Sequence, residues 1–149
     1  AIKYGMLKID TNKKIVFDMK EWLKIDGDSG PFVQYSAARV KSLVRKLGDV
    51  DQAQVDWDRL VHPLERALMQ KLLMFHPLVV QACETYRPNV LCTYVFELAQ
   101  AFNAFYHEVT IGKAEDVVLK NTRLALAKSV GLSLEWGLKI LGIPTPERM

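Results

Sequence analysis

Hydrophobic and polar positions along residues 30–46, GPFVQYSAARVKSLVRK, repeat with the period of a helix. Ser29 or Gly30 suits the N-cap, Pro31 suits the first turn, and Gly48 suits the end of the helix. At about 100° per residue, one face collects apolar and small side chains. They are Val33, Ser36, Ala37, Val40, Val44 and Leu47, with Phe32 and Leu43 at the edge. We predict that this helix buries that face in a core.

Apolar residues at three- and four-residue steps predict further helices along the chain. The segment after Pro88 is the most amphipathic, and its apolar positions are Leu91, Val95, Leu98, Phe102 and Phe105. Other predicted helices begin at Asp18, Pro63 and Pro77, and a long one extends from about Asp116 to Leu141. Few segments alternate with a period of two. The expected fold class is therefore all-α, a bundle of about five or six helices.

Two segments lie outside this helical pattern. Residues 1–17 hold a short apolar stretch, a turn and an extended-looking IVF, so we expect them to connect the bundle, residues 18–149, to an upstream domain. The chain begins with Ala1 instead of Met, in keeping with that expectation. Residues 49–58, DVDQAQVDWD, are acidic and polar, and we expect them to be exposed or mobile.

Composition limits the possible functions without selecting one. The 149 residues are 50% hydrophobic and 25% charged, which is typical of one globular domain with a core. A net charge of +3 is only mildly basic, so nucleic-acid binding would depend on local clustering of cations. Cys83 and Cys92 lack zinc-ligand spacing, and we expect buried free thiols in a reducing compartment. No apolar run approaches a membrane span, so we expect a soluble, cytoplasmic protein.

Catalytic and metal-binding patterns are absent from the sequence. His62, His76 and His107 stand singly at helix ends and form no H-x-x-x-H pair. No G-x-S-x-G motif or glycine-rich phosphate loop occurs. Asp26-Gly27-Asp28 has the start of a calcium loop without the remaining ligand positions. We assign this chain no catalytic residue, no metal and no cofactor.

Binding features are better represented, on the outer face of the helix that begins near Gly30. Tyr35, Arg39, Ser42 and Lys46 are spaced four, three and four residues apart and form one stripe. Two interpretations remain open. The stripe is an ordinary solvated helix face, or its cations bind phosphates while a base stacks on Tyr35.

A second polar and aromatic patch is predicted near the end of the helix that follows Pro88. It consists of Asn103, Tyr106 and His107. Tyr106 is equally compatible with base stacking and with a half-buried ring whose hydroxyl lies in water. After Pro144 and Pro146, the last residues of the chain are expected to lie along the bundle.

Seven ordered segments together resemble one known family. They are AIKY (1–4), VFD (16–18), IDGDSGPFVQYSAAR (25–39), LAQAFNAFYHE (98–108), RLALAKSV (123–130), GLKILGI (137–143) and PERM (146–149). The chain resembles the C-terminal, DALR-type anticodon-binding domain of arginyl-tRNA synthetases, which are class I enzymes. The match covers nearly the whole chain.

The resemblance implies a helical bundle that binds the anticodon stem-loop of arginine tRNA. It also implies an upstream catalytic domain of the same polypeptide, which uses ATP and Mg to attach arginine to the tRNA, in a monomeric enzyme. This chain alone has no HIGH-type ATP signature and is not expected to be an enzyme. The alternative is a protein-interaction or interdomain docking module without direct RNA contact.

The resemblance also assigns residues. It implies anticodon binding by Tyr35, Arg39, Tyr106 and Met149. Additional RNA contacts are expected from a loop and nearby cations, namely Lys24, Gly27, Ser29, Lys46 and Arg148. Two carboxylates in this loop, Asp26 and Asp28, make it a poor neighbour for phosphates.

Overall fold

A computed structural model of the chain is a bundle of α-helices, which confirms the predicted all-α fold class. The structure describes residues 1–114 and 116–147, without the side chain of residue 113. Within these residues there are seven α-helices and no β-strand. The helices are α1 (Ile2–Leu7), α2 (Met19–Trp22), α3 (Gly30–Leu47), α4 (Pro63–Leu73), α5 (Phe75–Thr85), α6 (Pro88–Glu108) and α7 (Val117–Ile140). No helix in this described part is long and apolar enough to cross a membrane.

Helices α6 and α7 form the centre of the bundle. α3 and α4 pack against both of them, and α5 packs mainly against α6. The predicted apolar face of α6 is confirmed, because each of its five side chains is at most 1% exposed. These are Leu91, Val95, Leu98, Phe102 and Phe105. The core therefore runs along the inner sides of α3, α6 and α7.

Helix α3 has the predicted ends and the predicted buried face. The Ser29 side chain accepts a hydrogen bond from the backbone N–H of Phe32 and caps the helix. Gly48, with a φ of 93°, ends it. Val33, Ser36, Ala37, Val40 and Leu43 are buried, while Phe32, Val44 and Leu47 are partly buried against the core. Ala38, which the spacing did not select, is also buried.

Helices α3 and α7 approach each other closely at Gly131. A Cβ atom on this glycine would lie 2.7 Å from Cγ1 and 3.2 Å from Cβ of Val40. Val40 has a short, branched side chain with one strongly preferred rotamer in a helix, so it cannot easily move aside. Glycine at position 131 therefore sets the spacing between the two helices and the orientation of α3.

The N-terminal residues differ from the prediction, because residues 2–7 form a helix that packs against α3 and α6. Tyr4 is 1% exposed, and its hydroxyl lies 2.8 Å from Oδ1 of Asp28 and 3.1 Å from the carbonyl oxygen of Cys92. Burial, followed by the nearby charge of Asp28, raises the pKa of Tyr4. Helix α1 is thus part of the bundle, whereas the sequence pattern assigned it to a connection.

Helix α5 begins earlier than predicted. Its first residue is Phe75, two residues before Pro77. Proline is tolerated there because the first N–H groups of a helix have no intrahelical partner.

The two cysteines differ in exposure. Cys92 is buried, and burial raises its pKa to about 12. Cys83 is exposed, so the expectation of two buried thiols was wrong for that residue.

Residues 49–58 are mostly exposed, as predicted, but they are attached to α7. The backbone N–H of Asp51 donates to Oδ1 of Asn121 at 3.0 Å, and that of Asp56 donates to Oγ1 of Thr122 at 3.0 Å. Lys128 donates to Asp49 at 2.6 Å, and this hydrogen bond lowers the pKa of Asp49. Side chains of α7 therefore hold a segment whose composition alone predicts mobility.

The packing at Gly131 predicts the effect of one added methyl group. We expect Gly131→Ala to lower the free energy of unfolding by about 1–3 kcal/mol, because overpacking outweighs the better helix propensity of alanine. Urea denaturation followed by far-UV circular dichroism measures this. Gly27→Ala is the control, since its Cβ would meet only Cβ of Lys24 at 3.9 Å. Equal stabilities of the two variants would contradict close packing at Gly131.

Candidate nucleic-acid interface

The outer face of α3 and the end of α6 enclose an open groove of about 620 Å³. Its lining residues are Tyr35, Ala38, Arg39, Ser42, Arg45, Lys46 and Tyr106. The stripe predicted on α3 is therefore present as one surface, and Tyr106 of α6 joins it. Buried Ala38 provides a small floor between the larger side chains.

Arg39 lies between the two tyrosine rings of this groove. Its Cζ atom is 4.7 Å from the ring centroid of Tyr35 and 5.1 Å from that of Tyr106. Nη1 donates to Oδ1 of Asn103 at 2.6 Å, and Nη2 donates to the hydroxyl of Tyr35 at 3.2 Å. Two cation–π contacts and two hydrogen bonds thus fix the guanidinium plane.

Asn103 connects the groove to the interior of the bundle. Its side-chain amide donates to Oγ of Ser36 at 2.9 Å, and Ser36, which is fully buried, donates to the carbonyl oxygen of Phe32 at 3.0 Å. The sequence placed Asn103 in a second patch. The structure merges the two predicted patches, because α3 and α6 pack side by side. Helical spacing within one element carries no signal for such a contact between two.

Tyr106 retains an exposed fraction of 36% and also contacts core and surface rings. Its ring centroid lies 5.9 Å from that of Phe102, which is buried, and 6.0 Å from that of His107, which is exposed. The ring is thus supported from below and accessible from outside. Such a ring offers a face on which a planar group can stack.

Three cations, Arg39, Arg45 and Lys46, line the groove, and its lining residues include no carboxylate. This local charge equals the formal net charge of +3 of the whole chain, so the remaining residues balance one another. Arg45 and Lys46 are exposed. Such a surface can attract and hold an anion such as a phosphate.

Lys41, in the same cationic run, has a different role. Its Nζ atom is 2.8 Å from a carboxylate oxygen of Glu135 and 2.6 Å from one of Glu147. Hydrogen bonds to Glu135 and then Glu147 raise the pKa of Lys41, and the hydrogen bond from Lys41 lowers the pKa of Glu147. Lys41 does not line the groove, and its charge is neutralised by these carboxylates.

The loop preceding α3 does not line the groove in the described part of the chain. Ser29 is buried, caps α3 and donates its hydroxyl hydrogen to the carbonyl oxygen of Lys24, so its side chain is committed to the fold. Lys24 pairs with Glu21 at 2.6 Å, a contact that raises its pKa, and Gly27 is half-buried. Two further sequence-predicted residues, Arg148 and Met149, lie outside the described residues.

The chemistry that this groove offers is binding. Among the described residues, no group of three or more His, Cys, Asp and Glu side chains is placed to hold a metal ion. His62 acts as an N-cap, accepting a hydrogen bond from the backbone N–H of Leu64 at 3.2 Å. An oriented guanidinium, two tyrosine rings and two exposed cations match a ligand that combines planar groups with negative charge.

Comparison with protein families gives a match over most of the chain. The model for the DALR anticodon binding domain matches residues 33–149. The arginine–tRNA ligase of Bdellovibrio bacteriovorus is 56% identical over 149 residues, and that of Thermobifida fusca is 43% identical over 150 residues. Each match includes 100% of this chain and 26% of the relative. The chain therefore spans about a quarter of the length of these relatives.

Solved structures agree with this match. The chain superposes on the Thermus thermophilus arginyl-tRNA synthetase with a TM-score of 0.91 and 38% identity, covering 99% of this chain and 26% of that one. The arginyl-tRNA synthetase of Plasmodium falciparum gives a TM-score of 0.86 over 99% of this chain and 26% of that one. At 24% identity, the second likeness concerns the fold alone.

The hydrogen bonds of Asn103 predict that this side chain holds Arg39 in place. We expect Asn103→Ala to lower the free energy of unfolding by about 1–3 kcal/mol, because Arg39 loses an acceptor and Ser36 loses a donor. The Nη–Hη signals of Arg39 in an NMR spectrum should also exchange faster with water, because Nη1 loses its acceptor. Gln100→Ala, an exposed amide on the same helix, is the control. An unchanged Arg39 signal in Asn103→Ala would contradict the assignment.

Proposed function

Because the chain belongs to the family of DALR anticodon-binding domains, we propose that its groove binds the anticodon loop of arginine tRNA. The observation that carries this proposal is Arg39 held between Tyr35 and Tyr106 in a groove lined by cations and no carboxylate. The similarity of this chain to relatives named arginine–tRNA ligase supports arginine tRNA as the bound RNA.

The mechanism of binding is positional. Anticodon bases are unpaired and can turn outward, so each can stack on an aromatic face or present its edge to a donor. A guanidinium has five N–H donors, of which the described contacts of Arg39 engage two. The others are available for base edges or phosphates. Arg45 and Lys46 then neutralise the backbone that enters and leaves the loop.

The predicted site residues differ in the observations that support them. Tyr35, Arg39, Tyr106 and Lys46 share the groove, which supports their assignment to RNA contact. Met149 and Arg148 follow Glu147, and their assignment rests on the resemblance alone. Lys24, Gly27 and Ser29 belong to a loop outside the groove, so any RNA contact there would come from Lys24 or the backbone of Gly27.

The proposed activity of the whole protein is the attachment of arginine to its tRNA. By this proposal an upstream catalytic domain, joined through the first residues of the chain, binds ATP and Mg and performs the chemistry. The DALR domain would contribute affinity and orientation, so that the acceptor end reaches that distant site. We infer that such a protein acts as a monomer in the cytoplasm, where tRNA is charged.

A surface on the N-terminal side of the bundle supports a second, compatible role in domain docking. Six of the eleven side chains from position 15 to 25 are apolar and at least 43% exposed. They are Ile15, Val16, Phe17, Met19, Leu23 and Ile25. Exposed apolar residues at this density are typical of surfaces that a partner covers. We infer that the upstream domain of the same polypeptide contacts this segment.

The proposed RNA contact predicts a loss of affinity when Arg39 is changed. The 149-residue chain should prefer an RNA hairpin with the anticodon stem-loop of arginine tRNA over a hairpin of unrelated loop sequence. Arg39→Met should weaken that binding by about 10-fold or more, because stacking and a charge-assisted hydrogen bond are both lost. Fluorescence anisotropy at fixed salt measures both affinities.

Arg66→Met is the matched control, since Arg66 is an exposed arginine of α4 that does not line the groove. Its affinity should stay within about twofold of the unchanged chain, because only a distant screened charge is removed. If Arg39→Met and Arg66→Met behave alike, the groove is not the RNA site. Absence of any preference between the two hairpins would overturn the proposed function.

The proposed whole-protein activity predicts a kinetic separation. Full-length protein should attach arginine to its tRNA with ATP and Mg, whereas the 149-residue chain alone should not. In the full-length protein, Arg39→Met should raise the KM for tRNA by about 10-fold with little change in the KM values for arginine and ATP, since the groove holds only the RNA. A change in the KM for ATP of similar size would place Arg39 in a different role.

A further inference from the structure

Residues 143–147 run along α3 on the side of the groove opposite α6, and we call them the C-terminal strap. After α7 the chain reverses at Gly142, whose φ of 68° lies in the left-handed region. The backbone N–H of Ile143 donates to the carbonyl oxygen of Leu138 at 2.8 Å, and Ile143 is buried. The start of the strap is thus fixed by a helix cap and by packing.

Three side chains of α3 bind the strap in order. Nε2 of Gln34 donates to the carbonyl oxygen of Pro144 at 2.6 Å, and Nζ of Lys41 donates to Oε1 of Glu147 at 2.6 Å. Nη1 of Arg45 reaches the carbonyl oxygen of Glu147 at 3.4 Å. Positions 34, 41 and 45 are seven and four residues apart and therefore share one side of the helix.

Lys41 connects the strap with α7. It contacts Glu147 on the strap and Glu135 on α7, and its side chain is 21% exposed. Glu147 is 77% exposed and has little packing of its own to hold it. The position of Glu147 therefore depends on its ion pair with Lys41.

Arg45 contacts the strap and also lines the groove, so the strap influences where its guanidinium lies. Its Nη2 atom donates to Oγ of Ser42 at 2.9 Å, while Nη1 faces the carbonyl oxygen of Glu147. Both Arg45 and Ser42 line the groove. An exposed arginine without such acceptors has many rotamers, and ordering it on binding reduces affinity.

We propose that Lys41 is a positioning residue for RNA binding: it holds Glu147, so that the strap orients Arg45 towards a phosphate in the groove. This inference rests on the proposed function of the groove. It assigns to Lys41 an indirect role in place of the phosphate contact that a surface lysine would suggest.

Glu147→Ala tests the strap, and Glu135→Ala is its matched control. Each substitution removes one carboxylate partner of Lys41 and changes the net charge by the same amount, but only the first releases the strap. If bulk charge alone mattered, both would bind the arginine anticodon hairpin slightly more tightly. We expect Glu147→Ala to bind it about 3–10-fold more weakly, with a salt dependence shallower by up to about 0.7 in log–log slope, because one phosphate contact is lost. Glu135→Ala should bind at least as tightly as the unchanged chain.

Backbone ¹⁵N relaxation reports on the strap without RNA. The amides of Thr145 and of position 147 should have lower order parameters in Glu147→Ala than in Glu135→Ala. A charge-reversed pair, Lys41→Glu with Glu147→Lys, should raise these order parameters again and restore part of the affinity lost in Lys41→Glu alone. Thermal unfolding of each variant identifies any general loss of structure.

The outcomes separate this inference from the proposed function. If the unchanged chain binds the hairpin and Glu147→Ala binds as well as Glu135→Ala, the role of Lys41 is wrong and the groove assignment stands. Lower order parameters in the strap without a change in affinity would also show that the proposed role of Lys41 is wrong. If the unchanged chain shows no preference for the hairpin, the proposed function itself fails, and the role of Lys41 in it fails as well.

Discussion

The close packing of α3 against α7 is the constraint on which the groove depends. Val40 meets Gly131 at a distance that admits no side chain, so the rotation of α3 about its axis is fixed. That single angle directs Tyr35 and Arg39 towards the end of α6 and directs Lys41 and Arg45 towards the residues that follow α7. The directions of the α3 side chains that line the groove therefore follow from how the opposite side of α3 is buried.

Electrostatic organisation explains how a mildly basic chain can present a strongly basic site. Several cations outside the groove are paired with carboxylates, namely Lys8, Lys24, Lys41, Arg59, Lys71, Arg123 and Lys128. Except for the pair of Arg123 with buried Glu65, these pairs are at least partly exposed and add little stability, but each offsets a positive charge outside the groove. Positive charge at these seven positions is thereby offset, whereas the residues that line the groove include no carboxylate.

Local periodicity predicted the parts of the fold that are decided within one helix. The buried faces of α3 and α6, the Ser29 cap and the Tyr35–Arg39 stripe all follow from spacing along a single element. Contacts between distant segments had no such signal. The hydroxyl of buried Tyr4 lies within hydrogen-bonding distance of Asp28 and of the carbonyl oxygen of Cys92. Asn103 meets Arg39 because α3 lies beside α6. Asp28, one of the two loop carboxylates that disfavour phosphate binding, is thus a structural partner of Tyr4.

In the proposed function, Arg39 and Lys46 would hold a charged ligand in two different ways. Arg39 is already fixed by Asn103 and by two tyrosine rings, so little side-chain entropy would be lost when a ligand binds. Its remaining N–H donors therefore point in a fixed direction towards a base or phosphate. Lys46 is exposed and belongs to no ion pair among the described residues, so it can follow a phosphate wherever the backbone passes. A rigid cation favours discrimination between ligands and a mobile one favours affinity for any polyanion. Specificity in such a groove would therefore come from the side chains that hold Arg39, namely Asn103, Tyr35 and Tyr106, more than from the number of its cations.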